Sequence, residues 1–504
     1  MLRIILLSIV LLATTEASLG AEGPAVVEIP SLTPVHASEI IDRMMSNQAV
    51  EYKKVMVVGN LDLSDLDRPI AQTVKITNST FRDDITFDKS TFNKGVNLSG
   101  CTFLGNASFA EVQFEGDANF AATDFARPAD FRVTRFEGLA TFISAHFREG
   151  ASFGYSQFAK IAIFAQCIFD GEAAFPNAQF NGDAIFLQSR IEGDGDFQLA
   201  QFASLASFWN ARLGGEADFL NAQFLGTANF GNATFAGNAT FVGTQFSGNV
   251  VFREARFGKD AYFGLANFEG FSDFTASRFE GLAIFAVTKF ADNARFLDSS
   301  FDGQLVLESA RIYSMQLDGA TFGPKATITL KDADFTRLMA RWNAIKDRLV
   351  YDPTAYLALV KNYRNLEWRT DANDCYYRYR RLSQAQEGLS FAKLNDLIAW
   401  QSCGYGVRPS YTIIWSVILI ILFGLAYWGG NGIRKRRFGE EEGGGEARIS
   451  LGDAMHFSAM TFTAQSPPKL YPVDLYKHVA MVQGLLGWFL LGLFVVVLSG
   501  ALIR

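Results

Sequence analysis

The sequence predicts a mainly β protein, in which a long solenoid of very short strands precedes a helical segment and a two-helix membrane domain. Phe occurs 48 times among 504 residues, whereas Tyr occurs 15 times and Trp 7 times. A large apolar residue, usually Phe, recurs at alternating steps of five and six over residues 81–312. Two long uncharged apolar runs lie near the C-terminus, at residues 411–428 and 479–503. Together these patterns indicate a repeated structural slot for Phe and two candidate membrane spans.

Composition excludes several classes of protein. The net charge of −7 is spread over a chain with 19% charged residues, without the concentrated basic face of a nucleic-acid-binding protein. Four Cys are too few for a disulfide framework, and four scattered His disfavour a His-based metal site. No nucleophile–base pair, metal-ligand spacing or phosphate-binding loop stands out. We therefore expect no enzymatic activity, no cofactor, no metal and no nucleic-acid partner.

Residues 1–21 have the layout of a secretory signal peptide. Arg3 is followed by an apolar run over residues 4–13 and then by small residues at 18–21. The apolar run is too short for an ordinary membrane-spanning helix. We expect an export signal, either cleaved or retained, and therefore expect the next domain to lie on the extracytoplasmic side.

Residues 22–75 are the predicted N-terminal cap. They contain a short helix at Ala37–Met45 and a strand-like run at residues 56–66. An open solenoid end exposes unpaired strand edges, so a covering segment is expected at this position.

Residues 76–335 carry an eleven-residue repeat with two large apolar slots in each period. An eleven-residue period also occurs in helical supercoils. On a helix, however, steps of five and six residues would place the two Phe sets about 140° apart, so they would form no single stripe. The residue two positions before each Phe is usually small, as at Ala107, Ala118 and Ala129. The residue between the small residue and the Phe is often polar and should point outward. This alternation of inward, outward and inward side chains is typical of a very short strand.

Glycine and cysteine have fixed places in the repeat. Glycine often lies two residues after a Phe, as at Gly105, Gly116 and Gly138. A fixed glycine is typical of a turn that needs positive φ, and we expect that conformation at these positions. Cys101 and Cys167 fall in the small interior slot and are expected to be buried.

Two stretches carry a family resemblance. The units ANFGNATFAGNATF, at residues 228–241, and ANFAATDF, at residues 118–125, resemble the pentapeptide-repeat family. The resemblance implies a right-handed quadrilateral β-helix. The family variant with five-plus-six spacing uses 22 residues per coil, which gives about ten coils for the Phe series.

Residues 336–409 change to helical spacing and form the predicted neck. Amphipathic helices are expected at three places, residues 338–350, 354–369 and 372–386. A basic cluster lies in the last of them, at Arg378, Arg380 and Arg381. A solvated helix face explains this cluster most simply, and contact with lipid head groups is the alternative.

Residues 410–504 are the predicted membrane domain. The first apolar run has Tyr411 and Trp415 at one end and Tyr427 and Trp428 at the other. Amphipathic rings at both ends are what a membrane interface favours. Both runs are long enough to cross about 30 Å of hydrocarbon. Two buried helices of a large soluble core are the alternative.

Residues 450–499 resemble the pore domain of two-span potassium channels. In that family a pore helix ends in a Thr-x-Thr stretch, which precedes the filter T-x-G-Y-G-D, a Pro-containing loop and the inner helix. The pore helix is expected at residues 452–463, with Thr461 and Thr463 in the Thr-x-Thr positions. The resemblance makes two inner-helix glycines hinge candidates, Gly484 and Gly487.

The filter-equivalent residues depart from the family pattern. They are Ala464, Gln465, Ser466, Pro467, Pro468 and Lys469. Ser466 and Pro468 replace the two glycines that permit inward-facing carbonyls. Pro468 also lacks an N–H, and Lys469 replaces the acidic residue that helps to attract cations. The resemblance thus implies a channel scaffold without a potassium-selective filter.

Two functions remain open from the sequence. The first is an extracytoplasmic β-helix joined to a channel-like pore domain that conducts monovalent ions without potassium selectivity. The second is a membrane-anchored scaffold, whose tail only anchors and oligomerises it and whose β-helix binds a protein partner. Since a two-span unit is a quarter of a pore, the resemblance implies a homotetramer in the lipid bilayer.

Two signals predict the same membrane topology. The signal peptide sends the β-helix out, so the first span must run inward. Basic residues are few before this span, where Lys393 and Arg408 lie. More of them follow it, namely Arg434, Lys435, Arg436, Arg437 and Arg448. Because excess Lys and Arg stay in the cytoplasm, we expect a multi-pass protein of the cell membrane with an inverted pore orientation.

Overall fold

The computed structural model describes residues 32–503, except residues 67, 387, 389 and 436–448. The predicted signal peptide, residues 1–21, lies outside the described residues, as do Arg436, Arg437 and Arg448. The described chain forms a parallel β-solenoid up to Met339 and is mainly helical after it.

The solenoid consists of two-residue strands that pair in parallel with the equivalent strand one coil away. Gln113–Phe114, for example, pairs with Thr91–Phe92 on one side and with Arg135–Phe136 on the other. Partners are therefore 22 residues apart, which confirms the predicted coil length. Val57 pairs with Phe81, so the N-terminal coil is slightly longer.

The strands form sheets of 14, 13 and 23 members. The 14-stranded sheet contains Thr33–His36, Val55–Val58, Thr80–Phe81, Thr102–Phe103, Asp124–Phe125, His146–Phe147, Ile168–Phe169, Arg190–Ile191, Arg212–Leu213, Thr234–Phe235, Arg256–Phe257, Arg278–Phe279, Ser300–Phe301 and Thr321–Phe322. The 13-stranded sheet contains Leu61–Asp62, Ile85–Thr86, Ala107–Ser108, Ala129–Asp130, Ala151–Ser152, Ala173–Ala174, Gly195–Asp196, Ala217–Asp218, Ala239–Thr240, Ala261–Tyr262, Ala283–Ile284, Leu305–Val306 and Ile328–Thr329.

The 23-stranded sheet is made of two ladders that merge near its C-terminal end. One ladder contains Val50–Lys53, Val74–Thr77, Val96–Asn97, Ala118–Asn119, Ala140–Thr141, Ala162–Ile163, Ala184–Ile185, Ala206–Ser207, Ala228–Asn229, Val250–Val251 and Ser272–Asp273. The other contains Thr91–Phe92, Gln113–Phe114, Arg135–Phe136, Gln157–Phe158, Gln179–Phe180, Gln201–Phe202, Gln223–Phe224, Gln245–Phe246 and Asn267–Phe268. Both continue into three longer strands, Lys289–Arg295, Arg311–Gln316 and Asp334–Met339.

The solenoid is longer than the Phe series predicts. The expectation of about ten coils covered only the Phe positions, whereas the longest ladder outside the merged sheet has 14 strands. This ladder begins at Thr33–His36, inside the segment expected to be a cap, and ends at Thr321–Phe322. The predicted helix Ala37–Met45 is confirmed, and it packs Ile40 and Met44 into the same core.

The Phe rings form continuous stacks inside the coil. Phe136 and Phe158 lie one above the other, with ring centroids 4.8 Å apart and planes 2° apart. Neighbouring columns meet edge to face, as Phe158 and Phe164 do at 5.9 Å and 83°. Small buried residues such as Ala140 fill the remaining interior, and Cys101 and Cys167 are buried as expected. Stacked and edge-to-face rings are both favourable aromatic geometries, which explains the demand for Phe.

The expectation of positive φ at Gly105, Gly116 and Gly138 is wrong. Positive φ occurs instead at another corner of the coil, mostly at residues other than glycine, for example Ala122 and Asn210. The fixed glycines are required by close approach of successive coils. A Cβ at Gly138 would lie 2.5 Å from the carbonyl carbon of Gly116, so a larger residue would push the coils apart.

The neck differs from the sequence prediction at both ends. The expected helix at residues 338–350 is wrong, since Asp334–Met339 extends the sheet and only Trp342–Ile345 is helical. The structure confirms two longer helices with slightly shifted bounds, Pro353–Asn365 and Arg369–Gln386. A further helix that the sequence analysis missed lies at Phe391–Cys403, followed by the short turn Gly404–Gly406.

The remaining described elements surround two apolar helices. Pro409–Gly429 and the stretch 476–499 of Tyr476–Ile503 are long and apolar enough to cross a membrane. Between them lies Leu451–Phe462, where the sequence predicts a helix at residues 452–463. The short strands Ile433–Lys435 and Leu470–Pro472 form an antiparallel pair beside these helices.

Candidate functional site

The candidate site is the segment between the two apolar helices, residues 449–475, which we call the inter-helix segment. Its helix Leu451–Phe462 packs against both apolar helices. With twelve residues this helix is about 18 Å long. It is therefore much shorter than the roughly 30 Å needed to cross a bilayer.

The helix of the inter-helix segment begins with a capping box. Ser450 Oγ accepts a hydrogen bond from the Asp453 N–H at 3.1 Å, and Asp453 Oδ2 accepts one from the Ser450 N–H at 3.1 Å. Lys435 Nζ lies 2.7 Å from Asp453 Oδ2. The hydrogen bonds from Lys435 and Ser450 lower the pKa of Asp453 to about 2. The ionised carboxylate thus ties the short strand pair to the start of the helix.

A buried polar triad links the three helices: Tyr427, Ser458 and Gln483. The Tyr427 hydroxyl donates to Gln483 Oε1 at 2.8 Å, and Gln483 Nε2 donates to the Ser458 carbonyl at 3.0 Å. Ser458 Oγ in turn donates to the Ile420 carbonyl at 2.7 Å. All three side chains are fully buried. The triad is not evident from the sequence, although Gln483 is one of the few polar residues in the apolar run 479–503.

Gly487 lets the second apolar helix touch the end of the short helix. A Cβ at Gly487 would lie far inside van der Waals distance of the Phe462 carbonyl oxygen. Gly484 is less crowded, because its Cβ would lie 3.6 Å from the Thr461 carbonyl oxygen. Gly487 therefore allows close packing between the second apolar helix and the end of the short helix. The hinge role of Gly484 and Gly487 stays a prediction.

The inter-helix segment reaches partway along the second apolar helix and returns. Gly487, which contacts its inner end, lies eleven residues after the first residue of Tyr476–Ile503, or about 16 Å along the axis. The returning chain then donates from the Val473 N–H to the Gly432 carbonyl at 3.0 Å. Gly432 lies just after the first apolar helix, so the segment leaves and returns at the same end of the helix pair.

The filter-equivalent residues begin with a closed helix end. The Gln465 N–H donates to the Met460 carbonyl at 2.8 Å, and the Ala464 N–H donates to the Thr461 carbonyl at 2.9 Å. Ala464 has the left-handed φ of 58° that this type of helix end requires. The Thr463 hydroxyl also turns back and donates to the Met460 carbonyl at 3.0 Å. These groups are satisfied within the chain.

Most predicted pore residues gather around one open cavity of about 470 Å³. Its lining includes Thr461, Ala464, Gln465, Ser466, Pro467, Pro468 and Gly484. Thr463, Lys469 and Gly487 are not part of that lining. Residues 463–466 are exposed, Thr461 is half-buried and Pro467 is buried. Across the described ranges, no three His, Cys, Asp or Glu side chains are grouped as a metal site would require.

The basic cluster of the neck makes contacts inside the protein. Arg380 forms an ion pair with the buried carboxylate of Asp396. Arg381 stacks over the ring of Trp400, with its guanidinium carbon 3.7 Å from the ring centroid. These two side chains fasten the helix Phe391–Cys403 to the helix Arg369–Gln386, so a purely solvated face is wrong for them.

Comparison with known families identifies the repeat region. A family model described as pentapeptide repeats (9 copies) matches residues 98–143, 131–179, 175–223 and 219–266. Neither a curated protein nor a solved structure matches the chain. The matched stretch covers the middle of the solenoid and carries the Phe stacks described above. Residues 98–266 are therefore similar to pentapeptide repeats, and they form the central coils of a β-solenoid.

Proposed function

We propose that the chain is an integral membrane protein whose two-span unit forms an ion pathway without potassium selectivity. In this proposal four copies assemble in the lipid bilayer, and each carries its pentapeptide-repeat solenoid on the extracytoplasmic side. The observation that carries the proposal is the exposed polar loop, residues 463–466, at the inner end of a half-length helix.

The depth of this loop supports a water-filled path. Non-helical backbone at membrane depth is tolerated only where protein buries it or where it lines an aqueous cavity. In the single chain residues 463–466 are exposed and adjoin the open cavity of about 470 Å³. Further copies arranged around a central path would place these loops against water and shield them from lipid.

The chemistry of the loop supports weak selectivity. Potassium selectivity needs backbone carbonyls that replace the hydration shell of the ion. Pro467 and Pro468 restrict the backbone here, and the helix end is closed by the N–H groups of Ala464 and Gln465. The amide of Gln465 and the hydroxyl of Ser466 remain as neutral dipoles. Neutral dipoles without a fixed cage suit the smaller Na⁺ and the larger K⁺ alike.

Flux through proteoliposomes tests the proposal. The purified full chain should show four subunits by native mass spectrometry and pass K⁺ and Na⁺ at similar rates. A cysteine at Ser466→Cys should make the flux sensitive to a charged methanethiosulfonate reagent, with a severalfold reduction. The parent chain is the matched control, because its four cysteines are all buried. Flux that the reagent leaves unchanged at Ser466→Cys would place the path elsewhere.

The solenoid shape and sidedness belong to the same proposal. Four parallel ladders of short strands support a four-sided coil, and the similarity to pentapeptide repeats supports a right-handed one. The predicted export signal supports an extracytoplasmic position for this coil, and the Lys and Arg residues after the first span support a cytoplasmic position for the inter-helix segment.

A membrane-anchored scaffold is the second candidate function, and an apolar surface patch favours it. Ile163, Ala165 and Leu187 form a small buried apolar cluster, separate from the main core. Partly buried apolar residues pack against it, namely Leu139, Ile143, Ile161 and Ile185. Trp209 lies one coil beyond Leu187 and is 42% exposed, so it extends the apolar surface. The partly buried members and Trp209 are the accessible part of this patch, and an accessible apolar patch fits a protein partner. Tetramers that pass no ions would favour this function over the pore.

A further inference from the structure

The helix Phe391–Cys403, which we call the junction helix, has its polarity reversed relative to an ordinary surface helix. Phe391 is 77% exposed, and Leu394, Leu397 and Ile398 are between 42% and 52% exposed. Their spacing of three and four residues places them on one face. In water a surface helix buries its apolar face, so this exposed face needs a different environment.

The opposite face of the junction helix is held by polar contacts to the helix Arg369–Gln386 and to the turn Gly404–Gly406. Asp396 is only 8% exposed and accepts a hydrogen bond from the Tyr405 hydroxyl at 2.7 Å, besides its ion pair with Arg380. Trp400 Nε1 donates to the Tyr377 hydroxyl at 2.8 Å. These contacts fix the rotation of the helix, so the apolar face cannot turn inward without breaking them.

The junction helix lies where the first apolar helix begins. A short turn, residues 404–408, connects it to Pro409–Gly429, and it also lies against Tyr476–Ile503. The hydroxyl of Tyr411, in the first turn of the apolar helix, is 3.2 Å from that of Tyr377. The helix Arg369–Gln386, the junction helix and the first turn of the first span therefore contact one another at the same end of the helix pair.

We propose that the junction helix lies in the membrane interface and buries Phe391, Leu394, Leu397 and Ile398 among lipid head groups and upper acyl chains. This inference rests on the proposed membrane integration. Lipid is the occupant because the junction helix contacts the first span, on which apolar side chains such as Ile413, 51% exposed, are also uncovered. Trp and Tyr side chains at the same level are typical of a membrane interface.

Spin-label accessibility in nanodiscs of phosphatidylcholine and phosphatidylglycerol tests the inference. Single labels are placed on the full chain at Leu394→Cys and, independently, at Ile398→Cys. Val417→Cys in the first span is the membrane control, and Leu265→Cys on the solenoid, where Leu265 is 61% exposed, is the water control. We expect both junction-helix labels to collide severalfold more with oxygen than with a water-soluble nickel chelate, as the Val417 label does.

The other outcomes are distinct. Labels at Leu394 and Ile398 that behave like the Leu265 label would show a face in water and overturn the inference. Labels that reach neither reagent would show a protein partner on this face and also overturn it. If the Val417 label itself reports water, the membrane integration fails together with the inference. A lipid-exposed Val417 label with water-exposed junction labels removes the inference alone.

Discussion

Asn362 pairs with the backbone of Leu338 in the place that a next strand would occupy. Leu338 N–H donates to Asn362 Oδ1 at 3.0 Å, and Asn362 Nδ2 donates to the Leu338 carbonyl at 2.8 Å. Leu338 belongs to the last strand of the merged sheet, Asp334–Met339, and Asn362 is 3% exposed. One side-chain amide therefore ends the ladder at this residue and blocks its extension by another chain.

Replacing Asn362 should destabilise the C-terminal end of the solenoid. Asn362→Leu keeps the branched shape of the side chain but leaves a buried N–H and a buried carbonyl of Leu338 unpaired. Each such group costs about 1–3 kcal/mol. Thermal unfolding of the detergent-solubilised chain, followed by circular dichroism, measures the loss. Asn365→Leu on the same helix is the matched control, because Asn365 is exposed; equal losses at both positions would contradict the capping role.

A mid-solenoid Phe should be far more sensitive than an outward residue of the same coil. Phe208 is fully buried and stacks on Phe186 at 4.7 Å. Phe208→Ala should cost roughly 3–5 kcal/mol of unfolding free energy, from lost burial and a cavity. Gln201→Ala, at an exposed position, should change it by less than about 0.5 kcal/mol. Denaturant titration measures both, and similar losses would refute the assignment of inward and outward slots.

Two glycines of the second apolar helix should respond differently to an added methyl group. At Gly487 the new Cβ would collide with the Phe462 carbonyl, whereas nothing lies within 4 Å of the equivalent point at Gly492. Gly487→Ala should destabilise the helix packing by about 1–3 kcal/mol, and Gly492→Ala should be nearly neutral. Thermal stability in detergent by tryptophan fluorescence distinguishes them; a neutral Gly487→Ala would mean that the short helix packs elsewhere.

The sidedness of the membrane can be read with a membrane-impermeant thiol reagent on intact cells. Gln245→Cys lies at an exposed solenoid position, and Leu475→Cys lies next to the second apolar helix, where Leu475 is 70% exposed. We expect labelling at Gln245→Cys alone. Native cysteines give little background, since burial raises the pKa of Cys101 to about 12 and the other three are also buried. Labelling only at Leu475→Cys would place the solenoid in the cytoplasm.

The repeat was predictable because each coil imposes the same demand on the same position. The Phe spacing indicated an eleven-residue period, and the family resemblance implied the 22-residue coil that the strand pairing shows. The helix Ala37–Met45 was also predicted. The role of Gly138 could not be predicted, because the sequence alone does not distinguish a positive φ from a close approach between successive coils. The amphipathic pattern at residues 338–350 was misleading, since the preceding sheet captures Leu338 as a strand residue.

The membrane-like end was less predictable for a different reason. The helix lengths follow from local apolar runs, but the polar triad depends on Tyr427, Ser458 and Gln483 meeting from three separate helices. The spacing of Phe391, Leu394, Leu397 and Ile398 could have indicated the junction helix, but it could not show that this face stays exposed. The contacts between separate helices that form the triad leave no periodic trace in the sequence.

Because the central coils keep the same register, the length of the solenoid is set in equal steps of one coil. Gln157–Phe158, Gln179–Phe180 and Gln201–Phe202 are identical strands at successive levels. Removing residues 179–200 would bring one Gln-Phe strand into the place of another and shorten the rod by about 4.8 Å, the spacing of adjacent strands. Duplication or deletion of the 22 codons that encode one coil would therefore lengthen or shorten the solenoid by one strand spacing. The two ends of the solenoid would keep their own contacts.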